Sequence, residues 1–302
     1  MLKLIATRMA QGCRTMPFPP APPALGSPHN ARILRGPLPA RFRGRPTIDS
    51  HKCRDGCRAC ADACPTQAMQ AGDGGVRLDL GRCLFCQECV AACPQQAITY
   101  TADYRLAATQ REGLVLHRDE IPLVQALAEK SRRLFGRSLQ LREVCAGSCN
   151  GCELELQALN NVVFDLGRFG IRFVASPRHA DGLIVTGPVT RHMRTALLKT
   201  YAAVPSPKLV IATGACAISG GPFRDGPQVH NGADTMLPVD LYIPGCPPHP
   251  LTILDGLLRL LGRLEADRSD PASAAAVLGQ SPTCGLRNSH EGSGSGPGQS
   301  SG

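Results

Sequence analysis

The feature that most constrains this 302-residue chain is a cysteine motif that occurs twice. Cys57-Arg58-Ala59-Cys60-Ala61-Asp62-Ala63-Cys64-Pro65-Thr66-Gln67-Ala68-Met69 is matched 29 residues later by Cys86-Gln87-Glu88-Cys89-Val90-Ala91-Ala92-Cys93-Pro94-Gln95-Gln96-Ala97-Ile98. Preceded by Cys83, the second copy is a complete Cys-x2-Cys-x2-Cys-x3-Cys-Pro run. Three thiolates in one tight loop wrap one face of an iron–sulfur cubane, and the proline turns the chain so that the fourth sulfur points to a neighbour.

Two such runs resemble bacterial two-cluster ferredoxins, in which the fourth cysteine of each run ligates the other cluster. Crossed ligation on that pattern builds cluster 1 from Cys53, Cys57, Cys60 and Cys93, and cluster 2 from Cys83, Cys86, Cys89 and Cys64. The first copy departs from the rule. Cys53 precedes Cys57 by four residues rather than three, so its loop carries one extra residue. Either a bulge accommodates it, or that cluster is weakened or shifted in potential. Four-cysteine zinc sites also use Cys-x2-Cys pairs, but zinc does not explain three cysteines in one loop followed by Cys-Pro, twice over.

Fifteen clustered cysteines would suit a disulfide framework only in a small secreted domain. Arg8 interrupts the apolar start before a secretion signal can form, and no run of roughly 18 apolar residues appears. Metal binding in a reducing cytoplasm, without a transmembrane helix, is the expectation. The net charge of +9 resides in residues 1–54, which hold ten Lys or Arg and one acid, Asp49. This basic, Pro-rich arm (1–50) has few aromatics, Phe18 and Phe42, which argues against nucleic acid. Docking beside a membrane or onto a partner subunit suits it better.

From residue 139 the pattern changes. Runs 139–144, 171–175, 182–186, 208–212 and 241–243 read as strands, and 153–160, 190–203 and 251–264 as helices. The expected fold is an α+β ferredoxin-like two-cluster domain (51–100), a linker (101–138), and an α/β domain (139–265). The last has a doubly wound, mostly parallel, flavodoxin-like sheet. Ligands of such sheets gather at the carboxyl ends of strands. There fall Cys149 and Cys152 (Ser148-Cys149-Asn150-Gly151-Cys152-Glu153), Cys216 (Gly214-Ala215-Cys216) and Cys246 (Pro244-Gly245-Cys246-Pro247-Pro248). Those four thiolates would share a third cluster, making three [4Fe-4S] clusters. Gly147, Gly151, Gly214 and Gly245 would let backbone N–H groups approach its sulfurs. Neither a Walker A sequence nor a complete Gly-x-Gly-x-x-Gly occurs, so nucleotide binding has no support.

In the linker, 119–135 reads as an amphipathic helix through Ile121, Val124, Leu127, Ala128, Leu134 and Phe135. His117 before it reads as a surface residue. Residues 266–302 have the composition of a flexible polar tail.

The three cysteine turns resemble the small electron-transfer subunit of membrane-bound, group 4 nickel–iron hydrogenases, of which formate hydrogenlyase is the best-known type. So do Arg172-Phe173-Val174-Ala175-Ser176-Pro177-Arg178-His179-Ala180-Asp181-Gly182 and Thr186-Gly187-Pro188-Val189-Thr190, so the similarity covers nearly all of 139–263. Residues 1–100 resemble that subunit's two-cluster partner, including Phe42-Arg43-Gly44-Arg45-Pro46. The chain thus looks like a fusion of two adjacent subunits. The resemblance implies a peripheral position on the cytoplasmic face of the inner membrane and an arm that is a docking strap. It also implies three partners: a nickel–iron large subunit, a formate dehydrogenase or other electron donor, and membrane-arm subunits. The related complex I small subunit carries adjacent cysteines at the first position. Here Cys149-x2-Cys152 favours the hydrogenase branch over a quinone reductase.

That family commonly has an acid where this chain has Cys145, which is therefore expected to be a core thiol. Cys13 and Cys284 read as free thiols in the flanks. Glu153 reads either as a proton relay toward a partner's active site or as a first-turn acid favoured by the helix dipole. Glu155 and His179 read as surface or interface residues. His249 reads as a loop residue or a hydrogen-bond donor near the cluster. None has the pairing of a self-contained acid–base or nucleophilic site.

Overall fold

The sequence repeat is a repeat of backbone. A computed structural model describes residues 38, 41–54, 56–72, 75–116, 135 and 138–262. The first cysteine copy runs from β1 (Pro46–Ile48) through α1 (Ala59–Asp62) to β2 (Met69–Gly72). The second runs from β3 (Gly75–Asp79) through α2 (Glu88–Ala92) to β4 (Ile98–Tyr100). β1 pairs antiparallel with β4, and β2 with β3; a short β5 (Val115–Leu116) adds to β3. Gln67 and Gln96, 29 positions apart, turn left-handed at φ 53° and 49°, as do Gly56 and Phe85 at φ 73° and 55°. Because Gly56 and Phe85 correspond, the extra residue of the first loop lies before Gly56. The loop takes it up there, leaving the rest of the copy in register.

The second part builds a parallel sheet from β6 (Leu139–Cys145), β7 (Ile171–Phe173), β8 (Gly182–Thr186), β9 (Leu209–Thr213) and β10 (Leu241–Ile243). Its order is β10-β9-β8-β6-β7. Counted from β6 this is the 2-1-3-4-5 order of flavodoxin-like sheets. β8 and β9 are short apolar runs buried at every position, as a sheet covered on both faces requires. α3 (Gly151–Ala158) and α6 (Pro250–Leu260) cover one face: Leu156, Ile253 and Leu257 pack with Leu141, Ile184 and Ile211. α4 (Arg191–Ala203) and α5 (Ala215–Ser219) cover the other, with Leu197 and Ile218 against Val185 and Val210. The Thr190 hydroxyl caps α4 by accepting from Met193 N at 3.4 Å. α5 escapes periodicity because it has only five residues.

The core on the α4–α5 face continues into the cysteine repeat through Leu78, Leu80 and Leu114. Ser219 Oγ donates to Gly81 O at 2.8 Å. Ala108 and Tyr242 exchange backbone hydrogen bonds of 3.0 and 2.8 Å. That bridge covers the outer edge of β10, which an open sheet leaves unpaired. Of the basic arm, residues 38 and 41–50 are described. Arg43 Nη1 donates to Phe85 O at 2.6 Å, and the Phe42 ring stands edge-on to His249 with centroids 5.1 Å apart. The helix expected over 119–135 lies outside the described residues apart from Phe135, which is buried with Leu139. His117, Cys13, Cys284 and the tail also lie outside them. Among the described residues, no helix is long and apolar enough to cross a membrane.

α6 is buried along its whole length, Asp255 and Arg259 included. Arg259 Nε donates to Asp255 Oδ2 at 3.0 Å. Burial pushes the Asp255 carboxyl up to about 6, although the Arg259 charge pulls the other way. A carboxyl raised on folding binds its proton more tightly in the native state, so its contribution is full below the unfolded pKa near 3.8 and declines as pH rises toward 6. Asp255→Asn cannot ionise. The melting temperature of the native protein relative to this variant is therefore expected to fall between pH 4 and 6 and to level off above.

Candidate metal centres

Twelve of the cysteines gather in three groups of four. Cys53, Cys57, Cys60 and Cys93 line one small cavity with Ile48 and Val76. Burial raises the Cys53 and Cys60 thiols, and the charge of Cys93 adds to both. Burial pushes Cys83 up to about 12, with Cys89 and Cys64 adding to it. Cys89 is raised in the same way, by burial and then by Cys86 and Cys64. Cys93 therefore sits with the first loop and Cys64 with the second, the crossed arrangement. The backbone reinforces it equally in both copies: Ala68 N–H donates to Cys64 Sγ at 3.2 Å and Ala97 N–H to Cys93 Sγ at 3.3 Å.

The third group forms at the carboxyl ends of β6, β9 and β10. Asn150 takes a left-handed conformation (φ 69°) to start α3, placing Cys149 before the helix and Cys152 in its first turn. Burial pushes Cys216 up to about 12 and raises Cys152 and Cys246, and each also feels thiol charges of the others. Space is kept by glycine. A Cβ on Gly214, which has φ +90°, would stand 2.5 Å from Cys152 Sγ, and one on Gly221 would stand 2.9 Å from Cys216 Sγ. Cys86 also acts on Cys246, so the second and third groups are neighbours. Cys149 and Cys246 are exposed. Leu154, two residues after Cys152, is 57% exposed and Val162 is 54% exposed.

Each group offers four thiols, and N–H donors to sulfur serve the first two; this donor chemistry fits a [4Fe-4S] cubane. Among the described residues, no three Cys, His, Asp or Glu side chains close on a single metal ion. Since the buried thiols keep their protons at neutral pH, metal must displace those protons on loading.

Glu153 is 5% exposed. Its Oε1 accepts from Ser148 Oγ and, at 2.5 Å, from Thr186 Oγ1; Oε2 has no partner among the described residues. Burial pushes this carboxyl up, but hydrogen bonds, those from the two hydroxyls foremost and then from its own backbone N–H and Cys145, outweigh it and hold it below the usual range. Neither hydroxyl was legible as its partner, because Thr186 arrives from another strand. Cys145 is not a core thiol. It ends β6 where the sheet opens, is exposed, and lies 3.5 Å from Ser148 Oγ. His249 is not a loop-surface residue either. It caps α6, its Nδ1 accepting from Leu251 N at 3.2 Å, and burial lowers its pKa. Half-buried Glu155 is raised by burial and, with Phe42, Phe85, Leu106 and Pro244, lines a cavity of about 350 Å³ that reaches Cys246. His179 is exposed at the end of a single 3-10 turn.

A flavodoxin-like sheet with thiols at its carboxyl ends, packed on a duplicated cysteine module, defines an iron–sulfur protein. Comparison with known families agrees. Residues 52–97 match a 4Fe-4S dicluster domain, and residues 149–260 match the family described as NADH ubiquinone oxidoreductase, 20 Kd subunit. The chain is 50% identical over 129 residues to formate hydrogenlyase subunit 7 of Escherichia coli (strain K12), covering 43% of this chain and 51% of that protein. It is 44% identical over 132 residues to the probable membrane-bound hydrogenase subunit mbhJ of Pyrococcus furiosus, covering 44% of this chain and 79% of that one. It is 49% identical over 118 residues to an NADH-quinone oxidoreductase subunit of Roseiflexus sp. (strain RS-1), covering 39% of this chain and 44% of that one. The chain spans about half the length of formate hydrogenlyase subunit 7. It belongs to the NADH ubiquinone oxidoreductase 20 Kd subunit family.

Gly214→Ala is expected to drive a methyl group into Cys152 Sγ and empty the third group alone. Iron per chain after anaerobic reconstitution should fall by about four atoms, the content of one four-iron cluster.

Proposed function

We propose that the chain is an electron-transfer subunit of a membrane-associated hydrogenase complex of the formate hydrogenlyase type. On this reading it is a fusion of two subunits and carries three [4Fe-4S] clusters. Cys53, Cys57, Cys60 and Cys93 hold the first, Cys83, Cys86, Cys89 and Cys64 the second, and Cys149, Cys152, Cys216 and Cys246 the third. Each cluster, when bound, supplies one-electron storage. The protein's part is to line up the three sites, keep water from the inner sulfurs and leave one end open. The observation that carries this reading is the succession of the groups: Cys60 feels Cys89 of the second group, and Cys246 of the third feels Cys86 of the second.

Catalysis then resides in a separate nickel–iron large subunit. The exposed thiols of Cys149 and Cys246, with Leu154 exposed on the same helix as Cys152, suit a partner that covers the third site. Glu153 is the candidate for passing protons toward it. A formate dehydrogenase or other donor subunit would meet the opposite end. Membrane-arm subunits would hold the chain peripherally on the cytoplasmic face of the inner membrane, with the basic arm as a strap.

The cavity beside Cys246 favours a second reading, a complex I-like subunit in which a quinone approaches the third site. Anaerobic purification from the native membrane, with metal analysis and identification of copurifying subunits, separates the two. About twelve irons per chain together with nickel in the complex are the expected result. Iron without nickel, together with quinone reduction, would select the second reading.

A further inference from the structure

The two copies of the repeat differ at their last strand. Position 100 of the second copy is Tyr, and its counterpart 29 residues earlier is Ala71. Tyr100 ends β4, opposite Pro46 of β1. Its ring is seated against Phe85, with centroids 6.0 Å apart. That seat places the hydroxyl 3.8 Å from Cys83 Sγ. A phenol can donate or accept, whereas an iron-bound thiolate only accepts, so the proton belongs to Tyr100.

Nothing comparable serves the first group. Among the described residues, no hydroxyl hydrogen-bonds Cys53, Cys57, Cys60 or Cys93. The backbone bonds at Ala68 and Ala97 are the same in both copies. Thr66 lies near Cys64, but it donates its proton to Arg82 O at 2.8 Å. Cys83 further accepts from Phe85 N–H at 3.3 Å.

Resting on the cluster assignment proposed above, we infer that Tyr100 donates to the Cys83 thiolate and raises the reduction potential of the second cluster above that of the first. An added electron places negative charge on the sulfurs, and a donor aimed at them stabilises the reduced state. The hydroxyl therefore makes an electron rest preferentially at the cluster that neighbours the third site.

Tyr100→Phe keeps the ring and removes only the donor. In an anaerobic redox titration of the whole complex followed by EPR, the second cluster should become harder to reduce. At a fixed potential its reduced-to-oxidised ratio should fall about tenfold, about 59 mV for a one-electron couple, while the first cluster stays put. An unmoved second cluster with iron content intact overturns the inference. Should the variant fail to assemble, replacing the protein's tyrosines biosynthetically by a fluorotyrosine, whose more acidic hydroxyl donates more strongly, must shift the same cluster the other way; no shift overturns it equally. A native protein with no EPR signals from two N-terminal clusters overturns the cluster assignment itself, and this inference with it.

Discussion

Loops that leave different strands must deliver their sulfurs to one point, and the rest of this structure depends on that convergence. In the α/β part a parallel sheet solves the problem by ending all its strands at one rim. Three turns, after β6, β9 and β10, are enough to bring Cys149, Cys152, Cys216 and Cys246 together. The solution leaves no room for a side chain at Gly214, where a Cβ would meet Cys152 Sγ. In the cysteine repeat the crossing of Cys64 and Cys93 does the same work, because each copy supplies only three thiols to its own loop.

Convergence within a part would be of little use if the parts moved apart. The apolar face over α4 and α5 is continuous with the core of the repeat. Ser219 and Tyr242 add polar fastenings to Gly81 and Ala108. A buried hydroxyl donating to a carbonyl contributes about 1 kcal/mol net. These bonds therefore fix register more than they hold the parts together, and apolar burial does the holding. The result is a fixed relation between Cys86 and Cys246.

The sites also differ in how polar groups are spent on them. Glu153 is buried beside Cys152, and two hydroxyls keep it ionised, which sets negative charge next to the third group. Tyr100 sets a hydroxyl next to the second. The first group has neither among the described residues. The three groups of thiols therefore differ in the polar groups around them, although the side-chain type that forms them is the same in all.

Spacing was enough to anticipate which thiols come together in space. Cys-x2-Cys-x2-Cys-x3-Cys-Pro, written twice, leaves few alternatives because a short loop fixes which sulfurs can face one way. Alternating apolar runs were enough to read the parallel sheet, with strand limits within one or two residues, because strands buried on both faces must be short and apolar. Side-chain partners from elsewhere in the chain were not legible. That Thr186 meets Glu153, that Cys145 ends in the open, that His249 caps a helix and that Tyr100 reaches the second loop all follow from how distant segments pack. The chain by itself determined which residue types stand at the sites and how they are spaced, since both are short-range properties. Only the tertiary structure decided which sites are neighbours and which polar groups touch them, because those relations are set by burial of a shared core that no local pattern encodes.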